Sequence, residues 1–248
     1  MRTLVFTGIV HPERANVTIP ESTQELTDPD GKDLGKLVVT ILCSQISAEL
    51  TTVLDDVDVL TLRNSIQPRI EVLVDNLGFN MACGYEVELV QVLDSKTQQP
   101  TVFGVGIDSL QNRYGSKELI GQFTKVASLC KGMEGVYLAR ALALLRRAIR
   151  SPFDSGLYCY LAVEAIRNIY CLKDRLHPEK EKKKSWKLLR NDLDISEDYI
   201  KNNIKQRADE IRHGGGIRSF SEKERVKLLE STWEILNRYV ERHGKDDF

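Results

Sequence analysis

The periodicity of the apolar residues changes once, near residue 115, and that change constrains the chain to a two-part α+β architecture. Before it, Val, Ile, Thr and Phe gather in short runs between polar turns. After it, apolar residues recur every three or four positions to about residue 243. A run of strands followed by a run of helices is the pattern of an α+β protein or of two separate domains. Charge divides at the same place. Residues 1–115 hold 8 Lys and Arg against 16 Asp and Glu, a formal charge of −8, while residues 116–248 hold 27 against 20, or +7. The total of −1 conceals an acidic half and a basic half, and a 28.2 kDa chain is long enough for two cores. We therefore expect a small β-rich domain with one helix over 1–115 and an all-α domain over 116–248. The basic half is suited to a polyanion, or is simply a set of solvated helices.

In the first half, residues 3–10, 15–19 and 37–42 read as strands. His11-Pro12-Glu13-Arg14 and Asp28-Pro29-Asp30-Gly31 supply the turns. Ile66, Ile70, Leu73, Leu77 and Met81 share one helical face, and Pro68 requires that helix to start close before it or to kink. Tyr85, Val87 and Leu89 alternate with Glu86 and Glu88, and with residues 101–105 they predict a hairpin. His11 reads as a loop residue, and nothing here resembles a phosphate loop, a nucleophile elbow or a metal-ligand cluster. The five cysteines, Cys43, Cys83, Cys130, Cys159 and Cys171, are odd in number and contain no Cys-x-x-Cys pair. They read as buried thiols in a reducing compartment, with no metal site and no cofactor expected. The N-terminus looks like a strand and not a signal peptide, and no apolar run approaches the length of a membrane span, so no membrane association and a cytoplasmic location are expected.

The second half predicts helices over 117–131, 134–150, a segment after Ser151-Pro152 to about Leu172, 183–192, 197–212, and about 221–243. Capping-box patterns at Asp194-Ile195-Ser196-Glu197 and Ser221-Glu222-Lys223-Glu224 open the last two. Trp186 and Trp233 are read as core residues, and the charged run 178–184 as a solvated face or, alternatively, an RNA contact. The stretch richest in chemistry is Arg207-Ala208-Asp209-Glu210-Ile211-Arg212-His213-Gly214-Gly215-Gly216. Arginine and histidine in a last turn complement the helix dipole, and glycine stops the helix. The same residue types also serve phosphate chemistry.

Three features make residues 117–243 resemble the HEPN family of helical nucleotide-binding domains. They are the apolar helix with Tyr160-Leu161-Ala162-Val163-Glu164-Ala165-Ile166-Arg167, the Arg-x5-His-Gly pattern formed by Arg207, His213 and Gly214, and the long amphipathic helix that follows. The resemblance implies a homodimer whose paired Arg-His motifs cleave RNA without a metal, in a stress or phage-defence setting. His213 would transfer protons, Arg207 would stabilise phosphoryl charge, and Arg212 and Gly214 would contact substrate. Glu164 would orient Arg207 or pair with Arg167. Ala208 stands where active members commonly carry a polar residue, which supports the alternative of an inactive HEPN protein that binds nucleotide, RNA or protein as a scaffold. The N-terminal domain would then act as a sensor or a protein-partner module.

Overall fold

A computed structural model describes all residues except 1, 28–32, 55–57, 105, 112, 213–219 and 245–248, and it leaves out the side chains of Ser116, Glu210 and Arg212. The chain is α+β and divides into two compact units, Met1–Val105 with Arg218–Glu222, and Gly106–Ile217 with Lys223–Phe248. Among the described residues no helix is long and apolar enough to cross a membrane.

The first unit is a six-stranded antiparallel sheet with one long helix. Strands β1 (Arg2–His11), β2 (Ile19–Thr27), β3 (Asp33–Leu42), β4 (Gln45–Thr52), β5 (Glu86–Asp94) and β6 (Pro100–Val102) lie in the order β2-β3-β4-β1-β5-β6. Alternation fixes the register. Leu4 and Phe6 of β1 stand opposite Leu50 and Ala48 of β4, and Phe6 also faces Val92 of β5, so one face is continuously apolar. Helix α1 (Val59–Met81) contributes Leu62, Ile66, Ile70 and Val74 to the same core. The buried set differs from the expected face, since Leu73 and Leu77 are only partly buried and Met81 is 57% exposed. Pro68 lies nine residues inside α1, well past the first turn where proline costs nothing. The β1–β5 register shifts between Thr7 and Gly8, and position 8 admits only glycine, because a Cβ there would lie 2.2 Å from the Glu88 carbonyl oxygen.

Three readings of this half are corrected. Residues 13–15 form a 3₁₀ turn and the strand expected at 15–19 begins only at Ile19, while His11 is the last residue of β1, with Nε2 2.8 Å from Glu88 Oε2. Cys43 and Cys83 are exposed, although Cys159 and Cys171 are buried. The expected turn at Asp28-Pro29-Asp30-Gly31 lies outside the described residues.

β3 and β4 were joined by a turn that the sequence disguises. Leu42 pairs with Gln45, so the two-residue loop is Cys43-Ser44, both with positive φ, a geometry that usually calls on Asn-Gly. Ser44 is held there by its own bonds. Its buried Oγ accepts from the Val17 N–H at 2.9 Å and donates to the Glu13 carbonyl at 3.3 Å, and its backbone N–H donates to the Val17 carbonyl.

The second unit consists of α2 (Ser116–Leu129), α3 (Gly132–Arg150), α4 (Ser155–Lys173), α5 (Lys182–Leu193), α6 (Glu197–Ile200), a π-helical segment (Lys201–Lys205), α7 (Gln206–Arg212) and α8 (Glu222–His243). α4 is the most buried, burying Cys159, Ala162, Val163, Ile166 and Ile169 among others. A buried arginine closes the α3–α4 corner. Arg225 of α8 donates to the Ala148 and Ile149 carbonyls and to Ser155 Oγ, which satisfies acceptors that the end of α3 leaves open.

Candidate functional site

The helix expected to carry the motif begins at Glu197 as expected, but Asp194 does not cap it as the expected capping box requires; that residue ends α5 in a left-handed conformation. The Ser196 hydroxyl accepts from the Tyr199 N–H at 3.0 Å and caps α6. Ile200, Ile204 and Ala208 are all buried and lie four residues apart, a spacing that drifts around an ordinary α-helix of 3.6 residues per turn. The wider π turn over Lys201–Lys205 absorbs that drift, and such turns recur at functional sites. Behind α7, Gly156 of α4 permits close approach, since a Cβ there would meet the Arg207 carbonyl oxygen at 3.1 Å.

Arg207 is not free. Its Nη2 lies 2.5 Å from Glu224 Oε1 in the first turn of α8, with the two side chains 26% and 29% exposed. Glu164 pairs elsewhere, its Oε1 3.7 Å from both Arg167 Nη1 and Lys182 Nζ, so the carboxylate that holds Arg207 is Glu224. His213 and Gly214 lie outside the described residues. Arg212 ends α7 in its backbone, and its side chain is outside them too.

The described structure brings together a different set of residues. A cleft of about 410 Å³ opens between α4, α5 and the α6–π–α7 helix. Trp186 and Tyr160 form its aromatic part, with ring centroids 6.2 Å apart. Trp186 is only half-buried, which corrects its reading as core. The Arg167 guanidinium, 2% exposed, lies 5.5 Å from the Trp186 ring centroid and fixes that ring from within the bundle. Arg167 Nη2 donates to Asn168 Oδ1 at 2.8 Å, while Nε and Nη1 make no hydrogen bond among the described residues.

The rest of the wall is strongly charged. Among the described lining residues, five cations outnumber two carboxylates. Arg190 is neutralised by Glu197 at 3.0 Å, and Lys205 is loosely paired with Asp209 at 3.9 Å. Lys183 and Lys201 have no ion pair among the described residues. The cleft thus combines an aromatic surface with an excess of ammonium groups, which is what a base and its phosphates require. On the other side of the π segment, Tyr199 and Asn203 line a second cleft of about 490 Å³. Trp233 lies there under the Arg113 guanidinium at 4.8 Å and is likewise half-buried, but Glu230 and Glu234 offset that cleft's cations.

Glu164 and Arg167, expected to support Arg207, instead pair with each other, and of the cleft's lining only Lys182 and Lys183 fall in a segment, 178–184, that the sequence offered as an RNA contact. The available signal was the cationic run 182–184, separated from Trp186 by one serine.

Comparison with known proteins assigns both halves. Residues 4–103 match a family model described as the N-terminal domain of a domain of unknown function (DUF8168), and residues 123–243 match the model of its C-terminal domain. No curated protein and no solved structure matches the chain.

Proposed function

We propose that the chain, which belongs to the DUF8168 family, is a HEPN-type protein that binds nucleotides or single-stranded RNA through its helical unit and does not cleave them. The observation that carries this reading is the cleft, in which Trp186 and Tyr160 face a wall of lysines. A base stacks on the Trp186 side, and its phosphates lie among Lys183, Lys201 and Lys205. Free nucleotide and RNA share this chemistry.

The absence of cleavage is supported by the engagement of Arg207 with Glu224. An arginine that stabilises phosphoryl charge needs its fork of donors turned to substrate, and a carboxylate 2.5 Å away competes for them. Ala208, fully buried, offers no polar group beside it. The acidic N-terminal unit is read as a sensor or protein-partner module, in keeping with its charge.

The test is incubation of labelled single-stranded RNA with the protein in EDTA, comparing wild type with His213→Ala. Retained, intact RNA with both proteins is expected. Metal-free cleavage by wild type that His213→Ala abolishes would replace this reading with that of a ribonuclease acting through Arg207 and His213.

A further inference from the structure

Two side chains on one face of α1 hold a stretch of main chain that comes from far along the sequence. Asn64, 1% exposed, donates from Nδ2 to the Phe220 carbonyl at 3.2 Å and to Glu222 Oε2 at 3.0 Å. Three residues earlier on the same face, the Thr61 hydroxyl oxygen accepts the Glu222 N–H at 3.1 Å. That oxygen is pre-set as an acceptor, because its proton goes to Asp58, the residue that caps α1. Phe220, which like Glu222 belongs to the sheet unit, is 5% exposed. One donor and one acceptor for the backbone, a buried place for an aromatic and an amide for a carboxylate two residues on are the contacts by which a groove recognises a short peptide.

The site is imperfectly filled by its own chain. Asn64 Oδ1 is buried and has no hydrogen-bond partner among the described residues, and neither does Arg63 Nε. A buried amide oxygen without a donor is destabilising, so an occupant that brings one more N–H gains a bond the present one does not make. Arg63, whose guanidinium lies 4.9 Å from the Phe103 ring centroid, adds the charge that the ligand's acid requires. Burial pushes that guanidinium below its ordinary value, against the pull of the Glu222 and Glu88 carboxylates. We infer that Thr61 and Asn64 form a peptide-binding site of the sheet unit, filled by the chain's own Phe220-Ser221-Glu222 until a partner segment carrying an aromatic and, two residues on, a carboxylate displaces it. The inference rests on the reading of the acidic unit as a protein-partner module and not on the Trp186 cleft. Residues 1–115 carry a formal charge of −8, which repels acidic segments in general. A carboxylate is therefore accepted only where Arg63 and Asn64 receive it. A tethered segment competes at an effective concentration on the order of millimolar, so the chain masks the site from free peptide at micromolar concentration.

The probe is a fluorescein-labelled peptide with the sequence of residues 216–223, titrated by anisotropy into full-length chains. Phe220→Ala, which empties the site, is expected to bind it at least about tenfold more tightly than wild type. Adding Asn64→Leu to that variant, or replacing the phenylalanine of the peptide by alanine, is expected to weaken binding at least about tenfold. Where Phe220→Ala does not keep the wild-type circular dichroism spectrum, Glu222→Ala, which leaves the aromatic in place, is the opened chain. Equal affinity of wild type and the opened chain, no binding by either up to about 1 mM, or binding that survives Asn64→Leu overturns the inference. RNA takes no part in this assay, so a failure of this site and a failure of the nucleotide cleft are read separately.

Discussion

The guanidinium of Arg207 and the carboxylate of Glu224 lie 2.5 Å apart and tie α7 to the start of α8. Both side chains are about one-quarter exposed, so solvent screens the pair and its worth is modest. A double-mutant cycle with Arg207→Ala, Glu224→Ala and the double variant is expected to give a coupling energy of about 0.5–1 kcal/mol in urea unfolding. Strict additivity would show that the two residues do not interact in solution.

The acid sensitivity of the sheet unit follows from Asp94. It accepts from Arg2 Nε at 3.1 Å and Nη2 at 2.7 Å, and from the Lys96 N–H at 2.9 Å. The bonds from Arg2 hold its carboxyl well down; burial opposes them, and the Lys96 N–H and Thr97 hydroxyl reinforce them, leaving it at about 2 against an ordinary 3.8. A carboxyl depressed on folding adds stability at pH values above its unfolded pKa, and that stability disappears as pH falls through the folded one. The urea midpoint of wild type is therefore expected to fall between pH 3.8 and pH 2, and that of Asp94→Asn to be lower at neutral pH and flatter over this window. Parallel pH profiles for the two proteins would remove Asp94 as the source.

The Cys43-Ser44 turn depends on one hydroxyl. Ser44→Ala leaves the Val17 N–H without its acceptor and is expected to cost about 1–3 kcal/mol in chemical unfolding. Cys43→Gly, at a position with φ of 50°, is expected to be neutral or mildly stabilising, because glycine adopts that conformation without strain. Equal losses in the two variants would mean that the hydroxyl's bonds contribute nothing beyond the backbone geometry.

The helices of the second unit were legible because each repeats an apolar face long enough to show its period, as Val226, Leu229, Trp233, Leu236 and Val240 do in α8. Two strands were not. β4 follows a Cys-Ser turn that has neither the Asn nor the Gly such a turn usually carries, and edge strand β2, Pro20 through Leu26, is polar at nearly every position because so little of it is covered. The direction a helix faces was equally hidden. α2 has an apolar period, but Leu119, Ile120 and Phe123 are exposed while Gln122 and Lys125 bond Glu241 of α8. Of the candidate site, sequence reasoning reached the helix of Arg207 and the pair Glu164 and Arg167. It could not reach the cleft, because Tyr160, Trp186 and Lys201 come from three separate elements. Nor does any local pattern show that a buried arginine props Trp186 from behind.

Fluorescence anisotropy of a labelled single-stranded RNA, with unlabelled ATP as competitor, tests the cleft most directly. Saturable binding is expected, displaced by ATP and weakening with salt at a log–log slope of about −2 for contacts to three phosphates. Trp186→Ala, which removes the stacking surface, is expected to weaken it by about 1–3 kcal/mol, and Lys183→Glu with Lys201→Glu by at least about tenfold. All variants should keep the wild-type circular dichroism spectrum. Binding that is unchanged in the Trp186 and lysine variants, or absent in wild type at low salt, would contradict the assignment of this cleft.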